Sequence, residues 1–226
     1  MILSLTKEEL IDYTSRQLNN FFPDNIIINL HDYKDEVDET LKRIENCFSK
    51  VTLKHYYNGE EVLFNHLFSD HYVMYIWYLS NTIWKRTQNK NLCNKLYYLN
   101  KTLHALDCMF DTKLPEIFLL FHGAGTMLGK AEYGEYFVAL QGVTIGSHKG
   151  KYPVIGTGVS VTAHGSIIGN CTIGNSVSVS IHTAIFQKDI PANQSVYTDP
   201  ATGILTCKTS AISYAQQFFS QDLNAL

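Results

Sequence analysis

The stretch from Ile155 to Ile190 divides into sixes: IGTGVS, VTAHGS, IIGNCT, IGNSVS, VSIHTA and IFQKDI. Ile155, Val161, Ile167, Ile173, Val179 and Ile185 lead these units without a break. A helix repeats its apolar residues at about 3.6 and a half-buried strand at 2, so neither accounts for a period of six. One aliphatic residue per hexad, followed by small residues, is the pattern of a parallel β-helix. Each hexad supplies one short strand and a turn, and three hexads close one coil of a triangular prism. The leading aliphatic side chain then points inward.

The repeat continues towards the N-terminus with interruptions. Leu114 and Leu120 are six apart, and Tyr133, Ala139 and Ile145 resume the period after a one-residue slip following Thr126. From Ile145 to Ile155 the gap is ten, four more than one hexad, with the surplus in Ser147-His148-Lys149-Gly150-Lys151-Tyr152-Pro153. A solenoid wall cannot absorb extra residues, so they are expected to leave it as a loop. Loops held on a rigid scaffold are common carriers of function.

The remaining sequence frames this core. Residues 1–106 are expected to be a helical domain, 107–195 the β-helix and 196–226 a C-terminal tail. Thr6 followed by Glu9 is a capping box that opens a first helix. Further helices are expected over about 35–48, with Val37, Leu41 and Ile44 on one face, over 70–86, and over 91–108. The last carries a leucine stripe at 92, 96, 99, 103 and 106. The aromatic wealth of the third helix, which includes Trp77 and Trp84, reads as core or in part as an oligomer surface. In the tail, Asp199 to Gly203 reads as a turn and Ser213 to Gln221 as a short helix bearing Phe218 and Phe219. Its expected task is to cover the open end of the solenoid.

A net charge of −3 gives no reason to expect a nucleic-acid partner. No apolar run is long enough to span a bilayer. Lys7, Glu8, Glu9 and Asp12 fall where the apolar part of a signal peptide would be. The five cysteines are scattered and odd in number, as expected of reduced thiols in a cytoplasmic protein.

Four histidines fall in or beside the prism: His122, His148, His164 and His182. Histidine is the usual general base near neutral pH. His122 stands among small residues in Leu120-Phe121-His122-Gly123-Ala124-Gly125, which leaves room for a substrate or else marks a surface residue. His164 and His182 are 18 residues apart, one full coil, and hold the same place in their hexads. They should stack about one strand spacing apart, ~4.8 Å. Such a pair raises the possibility of a zinc site, but zinc takes three or four ligands and the repeat fixes no third. No metal is therefore expected.

The segment from Asp107 to Pro191 resembles the hexapeptide-repeat acetyltransferases, and within them the serine acetyltransferase branch. The matching pieces are His122-Gly123-Ala124-Gly125-Thr126-Met127-Leu128-Gly129, Leu140-Gln141-Gly142-Val143-Thr144-Ile145-Gly146, Pro153-Val154-Ile155-Gly156, Ile168-Gly169-Asn170 and Ile173-Gly174. The resemblance implies an α+β chain with an N-terminal helical domain followed by a left-handed parallel β-helix. It implies transfer of acetyl from acetyl-CoA to a hydroxyl, with His122 as general base. Asp107, fifteen residues upstream, would be the carboxylate that orients it. It also implies a homotrimer, which the helical part would pair into a hexamer, with CoA in the groove between prisms. Gly142, Ala163 and Ser180 are then candidates for the pantetheine contacts and Lys188 for a phosphate.

Two departures from that branch bear on the acceptor. The serine enzymes carry an aspartate directly before the catalytic histidine, where this chain has Phe121. They carry Arg-His before the proline of the loop, where this chain has Lys151-Tyr152. The expected acceptor is therefore a sugar hydroxyl in surface polysaccharide biosynthesis, with His148, Lys151 and Tyr152 as loop contacts to it. Serine O-acetylation for cysteine biosynthesis is the alternative. A zinc metalloenzyme built on His164 and His182, or a non-catalytic trimeric scaffold, are further ones. The chain ends in Leu226 rather than the isoleucine with which serine acetyltransferases dock onto their sulfhydrylase.

Overall fold

The computed structural model describes residues 1–226. The chain forms two compact units, Met1–Ser49 with Leu53–Asp111, and Lys50–Thr52 with Thr112–Leu226. The tail thus belongs to the second unit.

The first unit is helical: α1 Lys7–Phe21, α2 Lys34–Phe48, α3 Ser69–Thr87 and α4 Lys90–His104. The Thr6–Glu9 capping box opens α1 as the sequence implies. Helix α3 is buried along nearly its whole length, and Trp77, Tyr75 and Tyr78 are at most 1% exposed. The aromatic residues in the middle of this helix are therefore core, whereas Trp84 near its end is half-buried. Arg43 on α2 donates to Asn81 and Thr82 of α3 and places its guanidinium 4.8 Å from the centre of the Tyr78 ring. The α4 stripe is interrupted. Leu92, Leu96, Leu99 and, beyond the helix, Leu106 are buried, but Leu103 is over a third exposed. The helix stops at His104 because Ala105 turns left-handed at φ +54°.

The second unit is the β-helix, and the register of its strands explains the hexads. Leu128, Ile145, Ile167 and Ile185 stack up one wall; Tyr133, Ile155, Ile173 and Ile190 up a second. Leu120, Ala139, Val161, Val179 and Val196 stack up the third. The aliphatic leaders from Ile155 to Ile185 are all at most 2% exposed. Each such side chain contributes about 1.5–3 kcal/mol by leaving water.

Where the gap in the repeat lies, the strands Thr144–Gly146 and Val154–Ile155 keep their places in the walls. The surplus leaves as a tight hairpin. His148 and Lys151 exchange both backbone hydrogen bonds at 3.0 Å. Lys149 and Gly150 both have positive φ, +49° and +73°, as a two-residue turn matched to strand twist requires.

At the far end, the strand Gln194–Thr198 adds to the third wall in parallel. After a turn at Asp199–Gly203 it is covered by the antiparallel strand Leu205–Thr209. This hairpin, which lies mostly within the expected tail of 196–226, sits at the end of the solenoid over the third wall. The rest of the tail runs back along the outside of the prism. Its helical part is a 3-10 turn at Tyr214–Phe218 rather than an α-helix to Gln221. The Tyr214 N–H donates to Ser178 Oγ at 2.8 Å, Phe219 packs on Tyr136, and Leu223 approaches Gly158. Lys50–Thr52 pairs with it: the Thr52 N–H donates to the Phe218 carbonyl at 2.9 Å and the Ser220 N–H to the Lys50 carbonyl at 2.8 Å.

Two predictions follow from the packing. Ile167→Ala is expected to cost about 2–5 kcal/mol, because neighbouring coils cannot collapse into the space; a lower urea midpoint for the β-helix would show it. In the helical unit, burial depresses His71 to about 3 and His104 to about 4, from an ordinary 6.5. Between those values and 6.5 the unfolded chain binds protons that the folded chain refuses, so stability rises with pH. Melting curves are expected to fall as pH drops below about 6.5, and His71→Phe should flatten that slope.

Candidate active site

His122 follows directly on the strand Phe118–Leu120 of the third wall. The last ladder bond there runs from the Phe121 N–H to the Ala139 carbonyl at 3.0 Å. His122 itself is left-handed, at φ +53°, and its carbonyl accepts from the Ala124 N–H at 2.8 Å. This turn lifts the imidazole out of the wall, and the side chain is exposed. A non-glycine residue in that conformation is uncommon and is held by its surroundings. The Phe121 ring lies 4.0 Å from the imidazole, centre to centre.

Asp107 is in the helical unit. Its carboxylate accepts from the Tyr97 hydroxyl and from Lys101 Nζ, each at 2.7 Å. Partial burial alone would raise its pKa. The hydrogen bonds from Lys101 and Tyr97, with the lysine charge, outweigh burial and hold the carboxyl below its ordinary value. It is thus an anion at neutral pH.

His164 and His182 stack as the repeat implies, with ring centres 5.0 Å apart and planes within 6° of parallel. Their nitrogen lone pairs lie in those parallel planes and do not converge on one point. No group of three or more His, Cys, Asp or Glu side chains is arranged to hold a metal ion. Gly142 completes this corner of the prism one coil below, at φ +66°, and a Cβ on it would collide with the His164 ring. The column is therefore a glycine roofed by two imidazoles.

Against the stacked residues Ala139, Val161 and Val179, Gly142 stands three places on, Ala163 two and Ser180 one. These three small residues step diagonally across successive coils of the outer wall. Ser180 opens into a cleft of about 490 Å³ lined also by Thr162, Ser178, Ser195, Ile212 and Tyr214. Its floor is hydroxyl-bearing wall and one side is the tail. Sequence reasoning did not find this cleft, since the whole tail, and not just its hairpin, was expected at the solenoid's end. Lys188 is exposed. In the hairpin, His148 packs edge-on against Phe186 at 5.0 Å, and Lys151 and Tyr152 are exposed.

No family model matches the chain. Among curated proteins, serine acetyltransferase 1, chloroplastic, of Arabidopsis thaliana is 31% identical over 130 residues, covering 54% of this chain and 40% of that protein. The chain therefore spans well under two thirds of that relative's length. Among solved structures, the serine acetyltransferase of Neisseria gonorrhoeae superposes with a TM-score of 0.67 at 18% identity, over 92% of this chain and 82% of that one. The chain has the fold of the serine acetyltransferases. That Neisseria enzyme is also known in complex with serine, with a TM-score of 0.66 at 18% identity over 88% and 84% of the two chains. A serine acetyltransferase in complex with CoA matches at 0.64 and 17% identity, over 85% and 81%. The α+β architecture, a helical part followed by the β-helix, is thus the one that the serine acetyltransferase resemblance implies.

The corner column can be tested directly. Gly142→Ala should cost more than about 1 kcal/mol, since Ala resists positive φ and its methyl meets His164. Adding His164→Ala should recover the steric share alone, which thermal melts arranged as a double-mutant cycle would resolve.

Proposed function

We propose that the chain is an acetyl-CoA-dependent O-acetyltransferase that works by direct attack in a ternary complex. The observation that carries this reading is His122. An exposed imidazole is held in a left-handed turn on a serine acetyltransferase fold, inside the very block of sequence that resembles that family. The acceptor hydroxyl gives its proton to His122 as its oxygen bonds to the thioester carbonyl carbon. The oxyanion then collapses, the C–S bond breaks, and the imidazolium returns the proton to the departing thiolate to give free CoA. Asp107, kept ionised by Tyr97 and Lys101, is the carboxylate to which the family resemblance gives the task of orienting the imidazole and stabilising its charged form. Gly142, Ala163 and Ser180 are the small residues along which the pantetheine arm would lie, with exposed Lys188 for a phosphate. The active assembly would be a homotrimer in the cytoplasm, with prisms sharing their grooves. No helix is long and apolar enough to cross a membrane.

The relatives reported above support L-serine as the first acceptor to consider, ahead of the sugar hydroxyl expected from the sequence. One observation favours the sugar as a second reading. Where the serine enzymes carry an aspartate beside the catalytic histidine, this chain places the Phe121 ring against His122. An aromatic face cannot pair with an ammonium as a carboxylate does, but it suits the C–H face of a sugar ring.

Release of free thiol from acetyl-CoA, with L-serine and a panel of sugars and nucleotide sugars in parallel, separates the two. His122→Ala is expected to lower the rate about 10²–10⁴-fold in a folded protein. Asp107→Asn should lower it less. Turnover that survives His122→Ala would remove the histidine from the mechanism.

A further inference from the structure

We infer that Phe121 and Phe218 are positioning residues for His122, and that the C-terminal tail steadies the base through them. The inference rests on the reading of His122 as the base. The backbone of His122 is fixed, since the Phe121 N–H is bonded to the wall and the His122 carbonyl closes the turn. Its side chain stands out towards solvent, where its orientation is set by the groups it touches. The Phe121 ring stops it on one side, 4.0 Å away and tilted by 40°.

Phe121 is itself only half-buried and would turn with the histidine if nothing backed it. Phe218 does so, with ring centres 5.1 Å apart and planes 52° from parallel, an ordinary arrangement for aromatic pairs. Phe218 is 3% exposed. The segment that carries it is fastened on both sides: Tyr214 to Ser178 before it, and Phe219 and Ser220 to Tyr136 and Lys50 after it. Three rings thus form a continuous chain of contacts from the anchored tail to the imidazole. A base held within a narrow range of orientations spends more of its time aligned with the proton it removes.

The test has one readout tied to activity and one that is not. In Phe218→Ala, kcat is expected to fall about tenfold while the KM for acetyl-CoA stays unchanged, and Phe218→Leu should restore most of it. Independently, NMR of the His122 ring protons should show a ring-current shift in the unaltered protein. That shift should diminish in Phe218→Ala and vanish in Phe121→Leu, which alters a half-exposed position and so also serves if Phe218→Ala fails to fold. Unchanged His122 shifts and kcat in folded Phe218→Ala, or in Phe121→Leu, would overturn the brace. If His122→Ala keeps its activity while the ring-current result holds, the fault lies with the base assignment and not with the contact.

Discussion

The structure depends on one stacking rule: each coil of the prism hydrogen-bonds to the coils above and below it, and the inward side chains must meet at the same rungs. Backbone groups along the three walls find their partners one coil away, so a residue out of step would leave buried donors and acceptors unpaired and turn an aliphatic side chain outward. This explains why the surplus after Ile145 is expelled as a closed hairpin. It also explains why the corners fall in columns, among them Gly142 beneath His164 and His182. A rigid wall of this kind can present an exposed histidine in a left-handed turn and hold it there.

The fold was largely legible because its pattern is local. Period six over Ile155 to Ile185 needs no knowledge of the rest of the chain, and the same arithmetic places His164 over His182. The helical unit was legible where capping and periodicity are local too, as at Thr6 and along Val37, Leu41 and Ile44. It was misread at Leu103, which faces outwards on the last turn before Ala105 ends the helix. The part of the tail after its hairpin was misread for a different reason. Phe218 meets Phe121 across almost a hundred residues, and nothing periodic links the two. The sequence marks Phe218 and Phe219 as apolar in a polar segment but not what they cover.

Several parts of the candidate site are therefore of two kinds. His122, Gly142, Ala163 and Ser180 belong to the repeat, and their places follow from register. The cleft beside Ser180 and the ring that backs Phe121 come from the tail, which does not repeat. Chemistry common to the fold would reside in the first group, and acceptor preference in residues outside it. Phe121, where the serine enzymes have a carboxylate, and Tyr152, exposed at the base of the hairpin, are the residues in which that preference would be written.

The hairpin formed by Gln194–Thr198 and Leu205–Thr209 has a consequence for association. A parallel solenoid that simply stopped would offer its last coil as a template, and a second molecule could dock there and continue the ladder without limit, as fibrils do. An antiparallel strand laid over that rung breaks the direction in which the walls run. Its outer residues, Cys207 to Thr209 and with them the charged Lys208, are exposed. The end of the third wall is thus a poor seed for a further parallel rung.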